Sequence, residues 1–67
     1  MTKSKFEHRR PNPKQEAYYA TIRNAAKQLA DVLDACCPES RERSLAHTNF
    51  EQAIMWANRS VALYVEE

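Results

Sequence analysis

Sixty-seven residues allow one small domain, and a chain of that length does not bury enough surface for independent stability without disulfides, a metal or partner chains. Glycine is absent and the three prolines stand only at positions 11, 13 and 38, which excludes the many tight turns of a sheet protein and favours long helices. The formal net charge of +1 hides an asymmetry: within residues 1–15, Lys3, Lys5, Arg9, Arg10 and Lys14 oppose Glu7 alone, whereas the other five cations share residues 16–67 with eight carboxylates, a balance that argues against a surface for a DNA or RNA polymer.

Residues 1–12 read as a basic arm and residues 13–67 as a helical domain. The arm's charges leave no apolar run long enough for a signal peptide, and no later run is long enough to span a bilayer. Cys36 and Cys37 are adjacent and cannot form a framework of spaced bridges, so a reducing cytoplasm is expected, with no membrane association. Within the arm, Phe6 and His8 alternate with Lys5, Arg9 and Arg10. Rings interleaved with cations can stack a base and neutralise phosphate, although a plain disordered basic tail has the same composition.

Asn12-Pro13 marks a helix start: Asn12 can accept the first free amide hydrogens, and Pro13 occupies the first helical position without wasting a donor. The helix is expected to run to about Cys36, with Tyr18, Ile22, Ala25, Leu29, Val32 and Cys36 on one stripe as its inner seam. Arg23 and Lys27 lie outside that stripe as an i, i+4 cationic pair that can hold a phosphate; a solvated face is the alternative. Pro38 breaks the helix and Ser40 can cap a second one, on which Phe50, Ile54, Ala57, Val61 and Tyr64 repeat the spacing. So short a connection makes the two helices antiparallel. Leu45, Met55, Trp56 and Leu63 fall beside the second seam, more apolar surface than one partner helix covers, and an all-α two-helix hairpin assembled as a homo-oligomer is expected.

No constellation for catalysis stands out. No serine occupies a glycine-lined turn, and Asp31, Asp34, Glu39 and Glu42 read as a solvated tip. Cys36, Cys37 and His47 do not form the spaced ligand pairs of a zinc site, so neither metal nor cofactor is expected.

The stretch from Pro38 to Thr48 (Pro-Glu-Ser-Arg-Glu-Arg-Ser-Leu-Ala-His-Thr), followed by Met55-Trp56-Ala57-Asn58, closely resembles the hairpin domain of phage anti-CBASS sponge proteins and of the related Thoeris anti-defence sponges. The similarity extends upstream through Leu29-Ala30, Ala26-Lys27 and Ile22-Arg23 to the arm. It implies a non-enzymatic decoy that assembles as homo-oligomers, typically hexamers, in the infected bacterial cytoplasm and sequesters cyclic oligonucleotide immune signals. It further implies a cyclic dinucleotide held between protomers, with His8 against a base, Arg23 near a phosphate, and Phe6, Arg9, Arg10 and Lys27 in support. His8 stands where relatives carry tyrosine, which leaves Phe6 or Tyr19 as alternative stacking rings. A second site for a cyclic trinucleotide is implied at Asn58, Arg59 and Ser60. Two other readings of the residues stay open: a hairpin that docks on a host protein, and a sponge for cyclic ADP-ribose signals.

Overall fold

The computed structural model describes residues 10–66. Phe6, His8 and Arg9 lie outside them, as does most of the expected arm, while Arg10 and Pro11 are exposed and lead into the first helix. Among the described residues the architecture is two helices and no strand: α1 over Pro13–Cys36 and α2 over Arg41–Tyr64.

Local chemistry sets both starts. Asn12 and Gln15 form a reciprocal capping box: the Gln15 amide N–H donates to Asn12 Oδ1 at 2.7 Å, and the Asn12 N–H donates to Gln15 Oε1 at 3.1 Å. At the second start, Ser40 Oγ accepts the Arg43 N–H at 3.1 Å and its hydroxyl donates to the Pro38 carbonyl at 3.0 Å. Arg43 Nη1 donates to the Cys37 carbonyl at 3.2 Å, so one arginine closes the loop from both sides. Replacing Ser40 with alanine removes the side-chain cap and is expected to cost about 1 kcal/mol, read as a lower urea midpoint at unchanged slope.

Contacts at both ends of the hairpin establish the antiparallel register. Gln15 at the start of α1 reaches Val65 just past α2, and Asp34 near the end of α1 meets His47 near the start of α2, with Nε2 and Oδ1 2.9 Å apart. The His47–Asp34 pair is exposed and makes a small contribution to stability.

The inner seam of α1 is displaced by about one residue from the expected stripe. Tyr19, Ile22, Ala26, Ala30, Leu33 and Cys37 are half-buried, whereas Tyr18, Ala25, Leu29, Val32 and Cys36 are exposed. The physical reason is size. Helices pack at roughly 8–10 Å between axes when the contact side chains are small, and Ala26 and Ala30 allow α2 to approach closely where Leu29 and Val32 would hold it off. On α2, Phe50, Ile54, Ala57 and Val61 face inward as expected, but Tyr64 is 78% exposed. Val61, 8% exposed, is the one buried residue among the described residues, and no side chain is fully enclosed. Leu45, Met55, Trp56 and Leu63 are all exposed, as their position beside the seam required.

Candidate ligand groove

Because Gln15 lies opposite Val65 and Asp34 opposite His47, Arg23 falls level with Asn58. Around that level the two helices line an open groove of about 580 Å³, within the range of small-molecule sites. Tyr19, Arg23 and Ala26 form the α1 wall, at spacings of four and three that share a helix face. Ile54, Met55, Asn58, Arg59 and Ala62 form the α2 wall. Ala26 and Ala62 leave the trough open, Tyr19 and Met55 supply flat or polarisable surface, and Asn58 offers a donor and an acceptor on one side chain.

Two guanidiniums, one from each helix, give the groove its charge. Neither Arg23 nor Arg59 forms an ion pair or a side-chain hydrogen bond with another described residue, whereas Arg43 is committed to the loop. Arginine presents its donors as a rigid planar fork suited to phosphate. Cations, an amide, a phenol ring and aliphatic groups equip such a lining to bind an anion that also carries a flat or apolar part.

One end of the groove is fastened by Gln15, whose Nε2 donates to the carbonyls of Val65 at 3.0 Å, Val61 at 3.4 Å and Ala62 at 3.5 Å. Gln15 thereby serves both helices at once, capping the start of α1 and donating to carbonyls at the end of α2, where Val61 also accepts the Val65 N–H. Its place in the first turn of α1 signals the first role; nothing local in the sequence signals the second.

The groove brings together Arg23, Asn58 and Arg59, which the sequence reading divided between two sites, and adds Tyr19. Lys27 lies one turn beyond Arg23 and outside the lining, and Ser60 is exposed on another face of α2. Met55, read from sequence as a subunit contact, is a groove residue. No group of three or more His, Cys, Asp and Glu side chains suited to a metal ion occurs among the described residues, and neither described helix is long and apolar enough to cross a membrane.

Comparison with known proteins gives one family: the model described as Acb2/Tad1, hairpin domain, matches residues 3–62. No curated protein and no solved structure matches the chain.

Proposed function

The chain belongs to the Acb2/Tad1 hairpin-domain family of anti-CBASS and anti-Thoeris sponges, and from that premise we propose that it captures cyclic dinucleotide immune signals without cleaving them. The family carries a sponge-type anti-defence role, is known for binding rather than catalysis, and binds cyclic nucleotide signals. The choice of a dinucleotide is supported by one observation above the others: a groove sized for a single small ligand carries one uncommitted guanidinium on each wall. A cyclic dinucleotide is rigid, bears two negative charges and offers two flat bases, so it matches two cations and a ring, and little conformational freedom is lost on capture.

In this proposal Arg23 holds phosphate and Lys27 raises the local potential from one turn away. The arm of residues 1–12 contributes His8 or Phe6 as a stacking ring, with Arg9 and Arg10 adding charge, and the hairpin domain of residues 13–67 supplies the rest. The working form is a homo-oligomer, a hexamer as the sequence resemblance implies, acting in the cytoplasm of the infected bacterium. Supporting assembly is the imbalance between one buried side chain and a large exposed apolar set that includes Tyr18, Leu29, Trp56 and Leu63. Burying one valine contributes roughly 1.5–3 kcal/mol, while ordering each backbone residue costs roughly 1–2 kcal/mol, so further burial against other copies is needed.

The same exposed apolar surface also suits a hairpin that docks on a host protein. A thermal-shift screen of the full chain against cyclic dinucleotides, cyclic trinucleotides and cyclic ADP-ribose, with linear dinucleotides and a DNA oligomer as controls, separates the readings. At a hundred times the dissociation constant, a ligand that binds only the folded state adds about 2.7 kcal/mol, or roughly 10 °C or more for a domain this small. A shift with cyclic dinucleotides and not with the linear controls is the expected result. A shift with cyclic ADP-ribose alone would transfer the proposal to that signal, and no shift with any nucleotide would favour the docking hairpin.

A further inference from the structure

We propose that the exposed side of α1 is a self-complementary seam, on which a second copy of the chain lays its own α1 antiparallel, with Tyr18 of each copy against the partner's Cys36. This inference rests on the homo-oligomeric reading above, and gives it a face and an orientation that do not depend on any ligand.

Side chains on α1 sort into three arcs at about 3.6 residues per turn. Tyr19, Ile22, Ala26, Ala30 and Leu33 face α2 and are half-buried. Glu16, Arg23, Lys27, Asp31 and Asp34 share a second, exposed arc that holds nearly all the helix's charge. The third arc carries Tyr18, Ala25, Leu29, Val32 and Cys36, all exposed, with uncharged Thr21 and Gln28 among them. After Lys14 at its start, no charge interrupts it, whereas a face in permanent contact with water collects charged groups as the second arc does. With Ile22 on its edge the third arc repeats at spacings of four, three, four, three and four, by which one helix lays a continuous seam along another.

Size and charge set the orientation. An antiparallel pair with its two-fold axis level with Lys27 places Tyr18 against the partner's Cys36, Ile22 against the partner's Val32 and Ala25 against the partner's Leu29. Each layer then joins a larger side chain to a smaller one, which fills the seam and keeps the helix axes evenly spaced. A parallel pair would set tyrosine against tyrosine and alanine against alanine, a bulge followed by a gap. The antiparallel pair also lays the basic start of α1, Arg10 and Lys14, beside the partner's hairpin tip, where Asp31, Asp34, Glu39 and Glu42 outnumber Arg41 and Arg43. A seam shorter than about three heptads is too small to hold two chains together alone, so it closes only where the outward line of α2 is covered as well.

Thiol cross-linking in the full chain tests this. Native Cys36 supplies one thiol and Tyr18→Cys the other, both in a Cys37→Ser background, with glutathione disulfide as oxidant. Each new bond joins two thiol sulfurs, and one glutathione disulfide takes up their two electrons and two protons to leave as two glutathione thiols. Positions 18 and 36 of one helix lie about 27 Å apart, far beyond disulfide reach, so every bond between them joins two chains. The expected product is a band at twice the chain mass and nothing higher, because a two-fold pair closes with two bonds. Cys37→Ser alone, whose Cys36 thiols lie at opposite ends of the pair, is expected to stay a single band. Leu29→Lys, which leaves the inner face of the hairpin untouched, should weaken assembly by roughly tenfold or more in a sedimentation dilution series. A cross-linked dimer of Cys37→Ser alone overturns the antiparallel orientation, and a ladder of higher bands overturns the two-fold. No cross-link in a Tyr18→Cys protein that still assembles overturns the seam, as does a Leu29→Lys protein that assembles like the parent; the latter decides the matter if Tyr18→Cys falls apart. A parent that sediments as a single chain is a different result: it removes the homo-oligomeric reading, and the seam with it, and leaves nucleotide capture to its own test.

Discussion

Replacing Trp56 with alanine is expected to disperse the assembly into single chains, and those chains are expected to lose much of their helix. Trp56 is 62% exposed on the hairpin, and Leu45 and Leu63, eleven residues before it and seven after it, fall on nearly the same line along α2. That line points away from α1, so no side chain of the same hairpin can cover it. Large aromatic side chains dominate subunit interfaces, where truncation costs at least about 2 kcal/mol, or roughly thirtyfold in the association constant. In a closed ring each protomer loses that amount at every interface its Trp56 enters, so the assembly responds more steeply than one contact would suggest. Folding follows assembly because a hairpin with Val61 as its one buried residue has little to hold it. Sedimentation and far-ultraviolet circular dichroism over a dilution series would report both events. A variant that sediments like the parent at micromolar concentration would place the interface elsewhere, with the Tyr18, Leu29 and Val32 stripe of α1 as the next candidate.

That stripe also explains which parts of the structure the sequence disclosed. Helix ends were legible because their signals are local: Asn12 before Pro13, the break at Pro38 and the hydroxyl of Ser40 each act within a few residues. The inner face of α1 was not, since the apolar arc running from Leu29 and Val32 round to Tyr19 and Leu33 is wider than one partner helix can cover. Periodicity selects the bulkier edge of such an arc. The hairpin uses the edge with Ala26 and Ala30, where backbones can approach, and leaves the bulkier edge exposed. The groove was half legible in the same way. Arg23 stood out from the apolar seam, whereas Arg59 entered only through the family resemblance, because sequence distance says nothing of opposition across a hairpin. Once the antiparallel turn at residues 37–40 is known, the register brings the two together.

Gln15 tests that register most directly, because one substitution separates its two roles by the sign of the effect. Viewed as the start of α1 alone, glutamate at position 15 should improve on glutamine: it still accepts the Asn12 N–H, and it places a negative charge near the positive end of the helix dipole. Viewed across the hairpin, the same carboxylate would face the carbonyl oxygens of Val61, Ala62 and Val65 at the negative end of α2, with no proton to donate. Gln15→Glu is therefore expected to destabilise the fold at neutral pH by about 2 kcal/mol, lost donor and added repulsion together, or roughly 10 °C in melting temperature. Gln15→Ala, which loses the bonds without the repulsion, should fall less far. The repulsion raises the pKa of the introduced carboxyl in the folded state above its unfolded value near 4. The deficit should then be present in full above the folded-state pKa and shrink as pH falls through it, since the protonated acid regains a donor and mimics the amide. Melting curves of the two variants and the parent between pH 3 and pH 7 would show the gap closing for the glutamate variant alone. A glutamate variant more stable than the parent at pH 7 would mean that Gln15 caps only its own helix, and that the walls of the groove are held at their spacing by something other than this bond.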